Sequence, residues 1–366
     1  MTGSEMEYIR QAVASGKISG DGIFTKKCHQ FFAEKYGFQK VLLTTSCTDA
    51  LEMAAILLNI IPGDEVIAPS YTFVSTVNAF ILRGAKIVFA DSSEASPNID
   101  ASTIEGLITP KTKAILPVHY AGIACDMDLI TDIAERHQIK VVEDAAQAVD
   151  SFYKGKPLGS IGCMGAFSFH ETKNVISGEG GMLAINDESF HSRAEIIREK
   201  GTNRSAFFRG EIDKYGWVDI GSSFLPSDII AAFLFAQLEN MDDIQRKRRK
   251  IWNFYHSRLL GLEKAGKIKL PVIPDYATNN AHMFYLICGN LEERSKLIEA
   301  LKKENILAVF HYLSLHKSSF YINKHDNRPL PWADFYSDLL LRLPFYYELS
   351  EADLERICNV IHKFYT

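Results

Sequence analysis

One lysine, Lys173, has the surroundings expected of an amine that takes part in chemistry. It follows a predicted apolar strand at residues 165–169 and stands five residues after Ser168, with the turn Gly178-Glu179-Gly180-Gly181 behind it. Taken alone, a lysine is far more often an ordinary surface side chain. An amine at the junction of a strand and a loop, beside a hydroxyl suited to a phosphate, fits Schiff-base chemistry with an aldehyde cofactor such as pyridoxal 5′-phosphate.

Two further segments suit the ring of that cofactor. Asp144 follows the apolar run at residues 139–142. A carboxylate there would keep the pyridine nitrogen protonated, although a helix N-cap explains the same segment equally well. Gln147, three residues later, is a candidate partner for the ring's phenolic oxygen. Tyr71 offers a flat face for the ring, with an ordinary core tyrosine as the alternative.

The phosphate has its own candidate site. Thr45-Ser46-Cys47-Thr48 comes directly before the strong helical pattern at residues 49–55. Backbone N–H groups and hydroxyls at a helix start can bind a phosphate, and simple capping is the alternative. The hydroxyl of Ser168 would be a fourth phosphate ligand, beside Ser46, Cys47 and Thr48.

The elements that must position these residues follow a regular alternation. Strands are predicted at residues 40–43, 65–68, 86–89, 114–118, 140–142, 165–169 and 182–185, and helices at 48–58, 75–82 and 127–137. Runs that are apolar on both faces and separated by helices indicate an α/β fold with a largely parallel sheet covered on both sides. The polar candidates lie just after the strands, where such sheets bind ligands, so we expect a single active site.

The second half of the chain is patterned less clearly. Residues 200–227 are rich in Gly, Ser, Arg and aromatics and are predicted to form a long functional loop. A smaller α+β domain is expected after it, giving a large domain at 1–240 and a small one at 241–366. Its predicted strands lie at residues 269–271, 283–287 and 308–310, and its later helices at 295–304 and 351–364.

Composition excludes several classes of protein. The chain has 366 residues and a net charge of -5, which gives no basic footprint for nucleic acid. Its six cysteines are scattered without a CxxC pair, so neither a zinc site nor a disulfide framework is indicated. The start lacks a hydrophobic signal core, and no run is long enough for a membrane span. We therefore expect a soluble cytoplasmic protein that binds no metal, membrane or nucleic acid.

In order and content these segments resemble the fold-type I pyridoxal-phosphate enzymes, and specifically the sugar-nucleotide aminotransferases of the DegT/DnrJ/EryC1/StrS family. The resemblance is carried by Ser46-Cys47-Thr48, Pro69 to Phe73, Val118 to Gly122, Glu143 to Gln147, and Ser168 to Lys173 with its glycine turn. It implies an aspartate aminotransferase-like fold with a mostly parallel sheet between helices and a smaller C-terminal α+β domain. It implies that Lys173 and Asp144 are the catalytic residues. Related sugar dehydratases carry His where this chain has Lys173, so the resemblance favours transamination.

A narrower likeness concerns the substrates. Residues 200–204, 208–210, 213–215, 219–223 and 310–316 resemble the branch that makes dTDP-4-amino-4,6-dideoxygalactose for cell-surface polysaccharides such as lipopolysaccharide. The resemblance implies L-glutamate as amino donor, dTDP-4-keto-6-deoxy-D-glucose as acceptor and 2-oxoglutarate as by-product. In this family residues 200–225 reach into the neighbouring subunit's site, which implies an obligate homodimer.

The same resemblance suggests substrate contacts. His170 and His119 match the family pattern, with satisfied structural histidines as the alternative, and His316 would close over the sugar. Arg209, Lys214 and Tyr215 are candidates for the nucleotide diphosphate, since two phosphates need cationic partners. Many relatives place an Asn in the partner-reaching loop as a phosphate ligand, and here Ser222 or Ser223 would replace it. Relatives also carry an extended segment before the first helix, whereas Met1 falls almost at that helix.

Other functions fit less well or stay open. A nicotinamide dehydrogenase would need G-x-G-x-x-G after the first strand, and none stands there. A non-catalytic binding protein would have little use for Lys173 beside Asp144. A pyridoxal-phosphate lyase would use the same cofactor residues, and only the substrate loop speaks against it. The acceptor could also be a UDP-linked 4-keto-6-deoxy-N-acetylhexosamine or a 3-keto sugar nucleotide.

Overall fold

The chain is described for residues 1–366 by a computed structural model, in which strands and helices alternate through the first half. The strands are β1 (Lys40–Thr44), β2 (Glu65–Pro69), β3 (Lys86–Ala90), β4 (Thr112–Ile115), β5 (Lys140–Asp144), β6 (Phe152–Tyr153), β7 (Lys156–Pro157), β8 (Met164–Ser168), β9 (Gly181–Ile185), β10 (Tyr285–Ile287), β11 (Val309–Phe310) and β12 (Leu340–Arg342). The α-helices are α1 (Glu5–Ala14), α2 (Ile23–Tyr36), α3 (Cys47–Leu57), α4 (Val74–Ile81), α5 (Ala101–Ile104), α6 (Met127–His137), α7 (His191–Arg198), α8 (Arg204–Phe208), α9 (Asp228–Glu239), α10 (Met241–Lys264), α11 (Leu291–Lys303), α12 (Pro331–Leu339) and α13 (Glu351–Tyr365).

The central sheet has seven strands in the order β1-β9-β8-β5-β4-β2-β3. The pairs β2–β3, β2–β4, β4–β5 and β5–β8 are parallel, which confirms the predicted α/β class. Strand β9 is antiparallel to both of its neighbours. It can return beside β8 without a crossover helix because only the loop at residues 169–180 connects them, as in a hairpin.

Both faces of this sheet are buried, as the apolar runs predict. Along β1, Leu42 packs into one core while Val41 and Leu43 pack into the other. Along β9, Leu183 and Met182 divide in the same way. Because successive side chains of a strand point to opposite faces, helices must cover both sides of the sheet. Helices α3 and α4 cover one side, and α2, α6 and α9 cover the other.

The C-terminal part contains a smaller antiparallel sheet in the order β10-β12-β11. A third apolar core, which involves α10, α11 and α13, lies beneath it. The strand predicted at residues 269–271 is wrong: Lys269 forms only an isolated bridge with Ile287. Tyr285 and Ile287 of β10 pack into the core of the large sheet. Because β10 belongs to the small sheet but also packs into the core of the large one, the domain boundary at residue 240 stays a prediction.

The segment predicted as a long loop at residues 200–227 contains the short helix α8 and otherwise runs irregularly. It turns back on itself through isolated bridges between Glu199 and Ser223 and between Thr202 and Trp217. None of the chain's helices combines the length and the apolar composition that crossing a bilayer requires.

Candidate active site

A cavity of about 530 Å³ lies at the carboxyl ends of the parallel strands. Eight of the side chains predicted for the site border it: Ser46, Cys47, Thr48, Asp144, Gln147, Ser168, His170 and Lys173. They come from the carboxyl ends of β5 and β8 and from the segments that follow β1, β5 and β8. The structure therefore has the clustering that was expected at this edge of the sheet.

Lys173 is held in the wall of this cavity by the residue that follows it. The Asn174 amide nitrogen donates to Oε1 of Gln245 and to the carbonyl of Asn280, both at 2.8 Å. The Asn174 side-chain oxygen lies 2.8 Å from Nδ1 of His282. Asn174 is buried, so these contacts fix the loop between β8 and β9 against α10 and the C-terminal part. Lys173 itself forms no ion pair and borders the cavity.

The environment of Lys173 favours its neutral form. Burial lowers the pKa of the Lys173 amine, and the positive charge of Arg342 lowers it further. The thiol of Cys47 and the carboxylate of Asp144 act in the opposite direction without cancelling the effect. A neutral amine is the nucleophile that attacks an aldehyde. The site therefore prepares Lys173 for that reaction at a lower pH than free lysine would need.

Asp144 is fixed at the end of β5 by two donors. Its Oδ2 accepts from the Thr76 hydroxyl at 2.6 Å, and its Oδ1 accepts from the backbone N–H of Ala146 at 3.1 Å. Gln147 is also held: its Oε1 accepts from the N–H of Ala121 at 2.7 Å, and its Nε2 donates to Oη of Tyr312 at 3.0 Å. Both side chains border the cavity in fixed orientations.

The start of α3 offers free donors. Ser46 is its N-cap, and its Oγ accepts from the N–H of Asp49 at 3.0 Å. The N–H groups of Cys47 and Thr48 have no acceptor in the chain. A Cβ on Gly181 would overlap the Ser46–Cys47 peptide, so only glycine allows β9 to pass this close. Ser46 thus caps α3, while the N–H groups of Cys47 and Thr48 remain available to an anion. The helix dipole also favours an anion at this end.

This donor set fits pyridoxal 5′-phosphate. An uncommitted, partly buried amine at Lys173, an oriented carboxylate at Asp144 and free N–H groups at the start of α3 border one space. Ser168, which is buried, lies at the end of β8 beside the same space and adds a hydroxyl. The amine, the pyridine nitrogen and the phosphate would each find a partner there.

Tyr71 does not supply the flat face that the sequence suggests. It is fully buried, does not border the cavity, and its hydroxyl donates to the carbonyl of His311. The aromatic rings that border the cavity are Phe73 and Tyr312, with ring centroids 6.0 Å apart. Strand β2 ends at Pro69. The sequence pattern alone does not show which of the side chains that follow borders the cavity.

His119 and His316 are structural instead of substrate-contacting. His119 is fully buried, and its Nε2 lies 2.9 Å from the carboxylate of Glu143. Its Nδ1 accepts from the N–H of Cys125 at 3.2 Å, so Nε2 carries the proton that Glu143 accepts. His316 is buried with Nδ1 2.8 Å from the hydroxyl of Ser70. Neither ring borders the cavity, whereas His170 does.

The residues predicted for the partner-reaching loop lie outside this chain's own cavity. The Arg209 guanidinium is engaged by Glu195 at 2.9 Å and Glu211 at 2.6 Å. The other residues predicted for this loop are exposed: Lys214, Tyr215, Ser222 and Ser223. Their roles concern a neighbouring subunit's site and stay predictions.

Four cavity residues from the C-terminal part were not foreseen: His282, His311, Tyr312 and Arg342. Burial lowers the pKa of His311 to about 2, with Arg342 adding to the effect, and its Nδ1 lies 2.6 Å from Oη of Tyr120. His311 is therefore a neutral acceptor. The unusual His-Tyr pair after a predicted strand was a signal for two of the four, whereas nothing in the pattern marked Arg342.

Comparisons with known proteins agree with this geometry. The sequence model of the DegT/DnrJ/EryC1/StrS aminotransferase family matches residues 1–362. The chain is 34% identical over 348 residues to the uncharacterized protein MJ1066 of Methanocaldococcus jannaschii, covering 93% of this chain and 89% of that protein. The aminotransferase TlmJ of Streptoalloteichus hindustanus is 28% identical with a TM-score of 0.91, covering 99% of this chain and 96% of that one.

A second solved structure bears on the cofactor. Spr1654 of Streptococcus pneumoniae, a candidate sugar aminotransferase solved in its PLP form, has a TM-score of 0.90 and 27% identity. The match covers 100% of this chain and 98% of that chain. The likeness therefore spans the central sheet and the C-terminal part together.

Proposed function

Because this chain belongs to the DegT/DnrJ/EryC1/StrS aminotransferase family, we propose that it moves the amino group of L-glutamate to the 4-keto carbon of dTDP-4-keto-6-deoxy-D-glucose. It is a sugar aminotransferase that uses pyridoxal 5′-phosphate. The proposed products are dTDP-4-amino-4,6-dideoxy-D-galactose and 2-oxoglutarate, the former for cell-surface polysaccharide. The observation that carries the proposal is Lys173, an unpaired amine that shares one cavity with the fixed carboxylate of Asp144.

The chain's own residues divide the work. When bound, pyridoxal 5′-phosphate supplies an electron sink that lets a proton leave the α-carbon of an amino acid. Lys173 Nζ, whose lowered pKa favours the neutral amine, takes that proton from the donor's α-carbon and returns a proton at the sugar's C4 in the second half of the reaction. Asp144 would be the partner of the pyridine nitrogen, and its hydrogen bond from Thr76 keeps the carboxylate oriented.

The choice of sugar rests on the sequence likeness of residues 200–223 and 310–316 to one branch of the family. That likeness favours a dTDP-linked 4-keto-6-deoxy sugar over UDP-linked or 3-keto acceptors. His170, which borders the cavity and lies 3.6 Å from Glu179 through Nε2, is the proposed contact on the sugar side. Arg209, Lys214 and Tyr215 are proposed for the diphosphate in the partner's site.

We further propose that two copies associate through the segment at residues 200–225. Its large apolar side chains are open to solvent in the single chain: Trp217 is 84% exposed, Phe208 68% and Tyr215 51%. A cluster of exposed aromatics marks an interaction surface. Phe73 and Val74, which stand at the start of α4 beside the cavity, are exposed as well. A second copy on this side would complete the site.

The decisive experiment supplies purified enzyme with cofactor and L-glutamate and then offers three acceptors separately. They are dTDP-4-keto-6-deoxy-D-glucose, a UDP-4-keto-6-deoxy-N-acetylhexosamine and a nucleotide-linked 3-keto sugar. Mass spectrometry reads the exchange of a keto oxygen for an amine, and NMR of the product assigns the carbon and the axial orientation. Amination of the first sugar alone supports the proposal. Turnover confined to either of the others overturns the choice of sugar, while Lys173→Ala serves as the blank.

A further inference from the structure

His282 borders the catalytic cavity with one ring nitrogen uncommitted. It is buried and lines the same space as Lys173. Its backbone is fixed on both sides, because its N–H donates to Oδ1 of Asn280 at 3.0 Å and its carbonyl accepts from the Arg248 guanidinium at 2.6 Å. Its Nδ1 lies 2.8 Å from Oδ1 of Asn174, whereas Nε2 forms no hydrogen bond within the chain. The ring is therefore held in place, with Nε2 as its one free polar atom.

A chain of hydrogen bonds decides which ring nitrogen of His282 carries the proton. The Asn174 amide nitrogen donates to the carbonyl of Asn280 and to Oε1 of Gln245, both at 2.8 Å. The amide nitrogen of Gln245 in turn donates to the carboxylate of Asp150 at 3.1 Å. A carbonyl and an ionised carboxylate can only accept, so both amide orientations are fixed and Oδ1 of Asn174 must face His282 as an acceptor. The proton of the neutral ring therefore lies on Nδ1, and Nε2 is an unprotonated acceptor.

The surroundings keep His282 neutral and couple it to Lys173. Burial lowers the pKa of His282 well below its ordinary value of 6.5, and among the charged groups around the ring Lys173 lowers this pKa most. Lys173 directly precedes Asn174, so the amine and the ring are anchored to the same buried amide. The Lys173 amine forms no hydrogen bond or ion pair within the chain, and it borders the same space as Nε2. An uncommitted N–H donor and an uncommitted acceptor thus share one cavity.

We propose that Nε2 of His282 accepts a hydrogen bond from the amine of Lys173 whenever that amine is not bonded to the cofactor, which makes His282 a positioning residue for proton transfer. A neutral amine has two N–H groups and one lone pair. Donating one N–H to a fixed acceptor restricts where the lone pair points, so the amine is oriented before it takes a proton. A ring protonated on Nε2 would present a donor instead. The inference rests on the proposed function where L-glutamate is the amino donor.

The first test observes the ring directly in the cofactor-free protein, in which the amine is free. Nitrogen-15 NMR of the histidine-labelled protein, assigned by the signals that His282→Asn removes, should show a neutral ring protonated on Nδ1. Lys173→Met removes the hydrogen-bond donor and should move the Nε2 resonance while leaving that of Nδ1 in place. Lys111→Met alters an exposed lysine outside the cavity and should move neither resonance. A proton on Nε2, or an Nε2 resonance that ignores Lys173→Met, would overturn the inference.

The second test separates the two ring nitrogens in the cofactor-loaded enzyme. His282→Asn can keep an N–H donor near the position of Nδ1 but removes the acceptor at Nε2, whereas His282→Gln can place its amide oxygen near Nε2. The half-reaction with saturating L-glutamate should slow about tenfold in His282→Asn, the scale of one hydrogen bond, and stay within about threefold of wild type in His282→Gln. The dissociation constant of L-glutamate should change by less than about threefold in both. The isotope effect of α-deuterated L-glutamate should persist, since proton transfer is the step that slows.

Each kinetic result supports or contradicts the positioning role. An unchanged rate in His282→Asn, equal losses in the two variants, or a loss confined to the dissociation constant would contradict it. An isotope effect that disappears in His282→Asn would also contradict it, because a step other than proton transfer would then limit the rate. If wild type itself does not respond to L-glutamate, the proposed donor is wrong, and the NMR comparison in the cofactor-free protein still decides the inference.

Discussion

The carboxylate of Asp144 accepts a 2.6 Å hydrogen bond from the hydroxyl of Thr76, which joins the end of β5 to the first turn of α4. Two separate βα units are thereby fixed at the floor of one cavity. The contact restricts the rotation of the Asp144 carboxylate, and a preorganised group is what an electrostatic role requires.

Asp144→Asn should lower kcat about 100-fold, because the amide keeps an acceptor for Thr76 but cannot hold the pyridine nitrogen in its protonated form. Steady-state kinetics with saturating L-glutamate and keto sugar measure the change. Thr76→Val, which frees the carboxylate without removing its charge, is the matched control and should cost about tenfold or less. An Asn variant with wild-type kcat would remove Asp144 from the proposed mechanism.

Lys173→Ala should lower turnover by at least about 10³-fold, since no other lysine borders the cavity to move the proton. The absorption of the bound cofactor should shift toward that of the free aldehyde. Sodium borohydride followed by peptide mass spectrometry should tag residue 173 in wild type and no lysine in the variant. Lys111→Ala is the control and should behave as wild type, because Lys111 is exposed and does not border the cavity. A tag at any other lysine would contradict the assignment.

The lowered pKa of Lys173 predicts how the cofactor-free protein responds to pH. Its folded-state pKa lies below the ordinary value of 10.5, so between the two values the unfolded chain binds more protons than the folded one. Stability should therefore rise with pH through that window, and the buried amine should destabilise the fold below it. Cofactor-free Lys173→Met should have a higher Tm than cofactor-free wild type at pH 7.

Thermal unfolding between pH 7 and pH 10 gives the comparison, and the advantage of the Met variant should shrink as the pH rises. Lys111→Met should track wild type throughout, because that lysine is exposed in the folded protein. A Met variant that gains nothing at pH 7 would mean that the amine is not desolvated.

Gly181→Ala should destabilise the protein by about 2 kcal/mol or more and weaken the affinity for the cofactor, since the new Cβ would overlap the Ser46–Cys47 peptide. Urea unfolding and cofactor titration measure the two effects. Gly261→Ala is the control: it lies within α10 with open space around it, and should stabilise the protein by about 0.5–1 kcal/mol. Equal behaviour of the two variants would contradict the close approach of β9 to α3.

The central sheet and the side chains at its edge were both predictable from the sequence, because parallel sheets bind ligands at the carboxyl ends of their strands. Apolar runs separated by helices favour a parallel sheet, and residues at or just after the carboxyl ends of its strands lie close together, as Ser46, Asp144 and Ser168 do. The direction of β9 was not predictable in that way, since an apolar run reads the same in a parallel or an antiparallel neighbour.

Where the prediction erred, side-chain direction or long separation decided the outcome. Tyr71 and Phe73 both follow β2, and only tertiary packing determines that Phe73 borders the cavity. His119 finds Glu143 as a buried partner, which a pattern cannot anticipate. Arg342 stands well over a hundred residues from Lys173 in a weakly patterned part of the chain, so no local signal connects them.

The spread of the cavity wall from Ser46 to Arg342 has a consequence for biosynthesis. While a ribosome is still making the chain, the first half can fold its sheet, yet the pocket lacks its last wall until nearly the whole polypeptide has emerged. Firm capture of the vitamin-derived coenzyme would thus come late, after translation is almost complete. The incomplete chain would therefore not hold a reactive aldehyde in an unfinished active site.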